Sequence, residues 1–390
     1  MLTGITVVDF SRHLPGPFCT MRLADLGAEV IKVETHPSGD PGRAMGPRIG
    51  EARAIFLSTN RNKQSVALNL RTGKGKELAY ELARQADVVV ESFRPGVMKL
   101  LGLDYERLSK SHPSIIYCSL TGYGQSGPMH QLGGHDLNFQ AASGLLAAIR
   151  GEDGKPVAAE VPIADYAGGM YASEQICAAL IRRYQTGQGA YLDISLVDAL
   201  SSWMGMHVLC AQHAREEEMA RFFKGRLAYQ IFETAEGKYV VLAALEEKFW
   251  LNFCRAVGRE DWEDLYGAGL DEHPHVYEEM KKLFLSRTQP EWGELGSEVD
   301  CCLTPVEEID TWLDSAFIKN RQLTFTLEAG EYGERLQVRT RASLSDRDEP
   351  VRDLSPPPGY GANTRQVLTQ KLGLSLEELA QLGRDGVIFV

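Results

Sequence analysis

Ile5-Thr6-Val7-Val8-Asp9-Phe10, a turn through Pro15-Gly16-Pro17, a helix-spaced run over 18–26 with Gly27 after it, and then Glu29-Val30-Ile31-Lys32-Val33-Glu34: this stretch decides the fold. It reads strand, turn, helix, strand, with the glycine where a helix C-terminal cap belongs. The pattern repeats. Residues 65–70 predict a strand, 72–85 an amphipathic helix, Asp87-Val88-Val89-Val90-Glu91 a strand, 105–110 a helical stretch and Ile115-Ile116-Tyr117-Cys118-Ser119-Leu120 a strand. Strands spaced by helices of this size indicate βαβ units and a parallel sheet.

Open parallel sheets take their ligands beyond the carboxyl ends of the strands. The segments leaving those ends are Ser11-Arg12-His13, residues 35–40, Ser92-Phe93-Arg94-Pro95-Gly96 and Thr121-Gly122-Tyr123-Gly124. They are polar, carry glycine and twice carry arginine, which places a candidate site at that edge. Further on, the pattern is helical over 165–184, breaks at Thr186-Gly187-Gln188-Gly189, gives a strand over 191–196 and then one long helix over 197–218. A different organisation begins near Gly225, with a hairpin of 229–234 and 238–245 followed by short helices, as in a smaller α+β domain. After Ser355-Pro356-Pro357-Pro358 the chain ends in an amphipathic helix over 376–383.

The chain has 390 residues, which suggests two or three domains at roughly 100–200 residues each. It is 44% hydrophobic and 24% charged, as ordinary globular proteins are. With 41 basic and 53 acidic residues its net charge is −12, which argues against a nucleic-acid binder. No apolar run reaches the ~18 residues of a membrane span, and the first residues lack a signal peptide's basic and apolar regions. Seven scattered cysteines with no CxxC pair read as reduced thiols of a cytoplasmic protein and leave no zinc site.

Two glycine motifs are decoys. Gly122-Tyr123-Gly124-Gln125-Ser126-Gly127 matches a dinucleotide fingerprint, but Pro128 follows, so no helix opens inside it to meet a pyrophosphate. Gly73-Lys74-Gly75-Lys76 lacks the first glycine of a P-loop and reads as the solvated start of a helix. Three titratable positions stand out: His135 after a glycine pair, Asp165 at the start of a helix and Glu246 after the apolar run 240–245. Each has an ordinary use, as a loop hydrogen-bonder, a helix cap or the first polar residue after a buried strand. The residue pattern alone does not join them.

Leu23-Ala24-Asp25-Leu26-Gly27-Ala28-Glu29-Val30-Ile31-Lys32-Val33-Glu34, Asn60-Arg61-Asn62-Lys63, Glu91-Ser92-Phe93-Arg94-Pro95-Gly96, Leu120-Thr121-Gly122-Tyr123-Gly124 and Gly359-Tyr360-Gly361-Ala362-Asn363-Thr364 together resemble the class III CoA-transferase family. That family also contains the α-methylacyl-CoA racemases, and the likeness runs nearly end to end. It implies an α/β fold with a Rossmann-like large CoA-binding domain formed by 1–200 and 325–390. A linker helix over 201–224 and a small domain over 225–324 complete the chain, and two chains interlock as a homodimer. It implies an acyl-CoA substrate, with coenzyme A arriving as part of that substrate and no cofactor held permanently.

The family branches chemically. In its transferases the aspartate at the position of Asp165 attacks the thioester and forms a covalent intermediate. In its racemases that aspartate exchanges the α-proton with a histidine across the substrate. The resemblance places His135 in that role, with Asp136 and Glu246 orienting and charge-balancing it. His135-Asp136 after glycine, Glu246 before Phe249-Trp250, and Asp300-Cys301-Cys302-Leu303-Thr304-Pro305-Val306 look racemase-like. We therefore expect an α-methylacyl-CoA racemase, with CoA transfer through Asp165 as the alternative. Backbone N–H groups near Asp165 are expected to stabilise the enolate, and Arg94, Arg61, Lys63 and Arg43 to contact the CoA phosphates or adenine.

Overall fold

A computed structural model describes residues 1–50, 52–151, 153–213, 222, 225–328, 333–340 and 354–389. The chain divides into two compact units, 1–204 with 322–390, and 205–321.

The first unit is built on six strands: β1 (Thr6–Asp9), β2 (Glu29–Thr35), β3 (Lys63–Leu68), β4 (Val88–Glu91), β5 (Ile116–Thr121) and β6 (Ala190–Ser195). They lie in the order β3-β2-β1-β4-β5-β6, and every pairing is parallel. Helices cover both faces, so both parities of a strand are buried. Val8, Val66 and Val89 face Leu78, Ala79 and Leu82 of α2 (Gly73–Ala83) and the C-terminal helices. Val7, Val88 and Val90 face Leu23 of α1 (Pro15–Asp25) and Ala167 and Ile176 of α4 (Ile163–Thr186). The short α3 (Asp136–Ala142) precedes α4.

The two ends of the chain meet at the edge strand. Ala67 N–H donates to Thr364 Oγ1 and Ser65 N–H to Asn363 Oδ1, both at 3.0 Å, and Asn69 N–H donates to the Val387 carbonyl at 2.8 Å. Residues 122–127 run as loop, and the next helix opens only at Asp136. No described helix is long and apolar enough to cross a membrane.

The single helix expected over 197–218 is instead broken. α5 (Leu196–Ser201) ends in a 3-10 turn (Ser202–Met204), and α6 (Gly205–His213) starts afresh at a glycine, a poor residue for a helix interior. Residues 214–218, and most of 214–224, lie outside the described residues. The second unit holds the hairpin β7 (Tyr229–Glu233) and β8 (Tyr239–Ala243), with β9 (Leu303–Pro305) added to β8. Its core is aromatic, with Trp250, Phe253, Trp262, Phe284 and Trp292 fully buried. Two of its indoles are satisfied by backbone, Trp250 Nε1 on the Trp262 carbonyl and Trp292 Nε1 on that of Phe284.

Candidate active site

The order of the sheet locates the site. From β1 the chain builds outward to β2 and β3 on one side, and then returns to lay β4, β5 and β6 on the other. Ligands bind where the direction reverses, beyond the carboxyl ends of the strands. There the first unit has a cavity of about 340 Å³. Arg12 and His13 enter it from the end of β1, Phe93 and Arg94 from the end of β4, and Gly122 and Tyr123 from the end of β5. His135 and Asp165 line it as well.

Asp165 is the third residue of α4 and half-buried. Burial, and after it the charge of Asp136, push its carboxyl up to about 7. α4 is not capped by its own first residues. Asp136 Oδ1 accepts the N–H groups of Ala164 (2.6 Å) and Asp165 (3.1 Å), and Oδ2 accepts from Gln140 Nε2 at 2.5 Å. A carboxylate is favoured at a helix N-terminus by the unpaired donors and the dipole there.

Two expectations change as a result. Asp136 spends its oxygens on the start of α4 and on Gln140 rather than on the His135 ring. The backbone donors of Ala164 and Asp165, expected for the enolate, are already taken. His135 itself is exposed at the start of α3, with its own N–H donating to Asn138 Oδ1 at 3.0 Å.

The four expected CoA cations separate. Arg94 is exposed on the cavity wall, and its guanidinium has no hydrogen bond or ion pair among the described residues. Arg61 is 1% exposed. Its guanidinium forks onto Asp25 at 3.1 and 2.5 Å and also meets Gln337 Oε1 and the Val338 carbonyl. Lys63 is 3% exposed and donates to Asp9, Asn60 and the Pro17 carbonyl, and burial pushes its pKa down to about 8. Arg43 forks onto Glu34 at 2.8 and 2.7 Å with its guanidinium 3.6 Å from the Phe56 ring centroid. Arg61 and Lys63 are thus internal ion pairs rather than cations offered to a phosphate, since both are buried against carboxylates, Asp25 and Asp9. Glu246 lies in the second unit, exposed at the residue before the helix Glu247–Ala256.

Sequence reading did not single out Arg12 and His13. Arg12 donates to Thr35 Oγ1 at 2.5 Å, and its guanidinium lies 4.5 Å from the Phe93 ring centroid. His13 has a left-handed φ of 67°, and its N–H donates to Asp40 Oδ1 at 3.0 Å. The signal was their place in the first loop after a strand, which marked the segment and not the side chains.

A parallel α/β sheet of this order, with an acid and a histidine in the cavity at its reversal point, belongs to the doubly wound class, which takes its ligands at that edge. The description of CoA-transferase family III matches residues 2–364, and the chain belongs to that family. It is 32% identical to the succinyl-CoA:glutarate CoA-transferase of Homo sapiens, over 99% of this chain and 90% of that protein. It is 31% identical to the alpha-methylacyl-CoA racemase of Homo sapiens, over 99% of this chain and 97% of that one. Among solved structures, a CAIB/BAIF family protein from Brucella suis matches with a TM-score of 0.81 at 27% identity, covering 95% of this chain and 99% of that one. These two relatives perform different reactions at nearly equal identity, so the choice between them rests on the site.

Proposed function

We propose that the protein epimerises the α-carbon of a 2-methylacyl-CoA by two-base proton transfer, one of Asp165 and His135 removing the α-proton and the other giving a proton to the opposite face. One observation carries this reading: the Asp165 carboxyl, raised to about 7, stands on the wall of a cavity that His135 also lines. A carboxyl that titrates near neutrality both takes and returns a proton at ordinary pH.

In the forward direction Asp165 removes the α-proton from one face, charge spreads onto the thioester oxygen, and His135 returns a proton to the other face. The reverse reaction exchanges the roles. Arg94 takes a CoA phosphate, since an exposed guanidinium without a partner at the ligand edge suits a phosphate fork. The protein acts as a homodimer. α6 has no buried residue, and its Met206, Val208 and Leu209 are 44%, 53% and 61% exposed, an apolar cluster of the kind that marks an interaction surface.

The second reading is CoA transfer to a free acid through a covalent Asp165 intermediate. It is favoured by likeness to the succinyl-CoA:glutarate enzyme. Incubation of several acyl-CoAs in heavy water, with and without a carboxylate acceptor, separates the two by mass spectrometry. Deuterium at the α-carbon without an acceptor supports epimerisation. No deuterium, with label from a free acid appearing in the CoA ester, overturns it.

A further inference from the structure

Glu91 is an ionisable group that the proton-transfer scheme does not use. It ends β4, is 3% exposed, and sits three residues before Arg94. Its Oε2 accepts the Phe93 N–H at 2.8 Å. Its carboxyl also meets the Ser119 hydroxyl, directly across on β5, which in turn accepts from Tyr191 OH at 3.3 Å. Among the described residues, the charged and titratable groups facing it are Asp193, Tyr117, Tyr191 and Cys118, and no cation is among these. Burial accordingly pushes its carboxyl up to about 7.

A buried carboxyl without a counter-ion is costly, and packing alone would be served as well by an apolar side chain. What an apolar residue could not supply is the acceptor for the Phe93 N–H. That bond fixes the first turn of the segment 92–95. The segment is also tied by the Arg12 N–H to Ser92 Oγ (2.9 Å), by the Arg12 guanidinium over the Phe93 ring, and by Gln131 Nε2 to the Pro95 carbonyl (3.1 Å). Arg94 projects from it into the cavity.

We propose that Glu91 is a positioning residue for CoA: through the Phe93 N–H it sets the segment 92–95 so that Arg94 meets a phosphate. The proposal rests on the reading of Arg94 as a CoA contact. It does not depend on whether the enzyme epimerises or transfers.

The test is a double-mutant cycle read as the Kd of CoA itself by titration calorimetry, with thermal melts alongside. Glu91→Met keeps the volume and removes the acceptor. Glu91→Gln keeps an acceptor oxygen, and Glu91→Ala serves if the Met variant does not fold. Loss of the acceptor weakens CoA binding by on the order of tenfold, about one hydrogen bond's worth. Glu91→Gln restores it, and Glu91→Met adds nothing once Arg94→Ala is present. If Arg94→Ala leaves the Kd unchanged, the reading of Arg94 fails and the proposal with it. If Arg94→Ala weakens binding, three results overturn the proposal alone: Glu91→Met or Glu91→Ala binds CoA as the wild type does, Glu91→Met adds its full effect on top of Arg94→Ala, or Glu91→Gln is as weak as Glu91→Met.

Discussion

Asp165 stands where burial and function pull against each other. Its carboxyl is raised from 3.8 to about 7 in the folded protein, so between those values the native state holds a proton that the unfolded chain has released. That contribution to stability is present below the unfolded pKa and is lost as pH rises through 7. Asp165→Asn should therefore melt above the wild type at pH 8, with the gap closing by pH 4, while its activity falls by roughly 10²–10⁴-fold. Asp136 is the second cause of the raised value. Asp136→Asn should shift the acid limb of the kcat/KM profile to lower pH, checked by assays from pH 5 to 9. An unmoved limb would mean that Asp136 does not act on Asp165. Asp165 and His135 were legible in the sequence because each follows a punctuating Pro or Gly at the edge of a helix. The use of Asp136 was not, since the backbone groups it caps are 28 and 29 positions away. Nor does basicity tell direction: Arg61 and Arg94 look alike in sequence, and only the three-dimensional neighbours send one onto Asp25 and the other into the cavity.

The element that places Asp165 is α4, and its depth against α1 depends on a glycine. A Cβ on Gly169 would lie 2.6 Å from the Pro15 carbonyl oxygen and 3.0 Å from the Phe18 ring. Alanine gains about 1 kcal/mol in helix propensity over glycine, but overpacking costs typically 1–3 kcal/mol, and a backbone carbonyl cannot turn aside as a side-chain tip can. Gly169→Ala should lower the melting temperature and, by moving the start of α4, reduce activity more than stability alone explains. A variant that melts higher with full activity would show that α1 and α4 are not in this contact. The elements of the large unit were readable because their strands are short apolar runs bounded by turns and their helices carry a 3.6-residue period. The continuous helix over 197–218 was over-read. Its apolar content is high throughout, but Gly205 interrupts it and period alone does not see a break. β9 is three residues long, too short to carry a period of its own.

At the scale of the molecule, the strand order turns a local βαβ reading into a functional address, because the reversal between β1 and β4 leaves the crevice that Arg12, Phe93 and Arg94 line. The sequence showed which loops leave the strands. That the chain after residue 325 belongs to the same domain came from the family resemblance; periodicity did not show its return to the β3 edge, since those contacts span about 300 residues. The exposed apolar face of α6 should be covered by a second chain, so sedimentation at micromolar concentration should give the dimer mass, and a monomer would contradict this. The central claim is that two groups stand on opposite faces of the α-carbon, one taking its proton and the other supplying a new one. It is tested most directly by α-deuterium incorporation into each separate epimer of a 2-methylacyl-CoA in heavy water. The wild type should label and interconvert both epimers. His135→Ala and Asp165→Asn should each stop interconversion while still exchanging one epimer, a different one for each variant. Interconversion at the wild-type rate by His135→Ala, or no α-deuterium in either epimer with the wild type, would contradict the account.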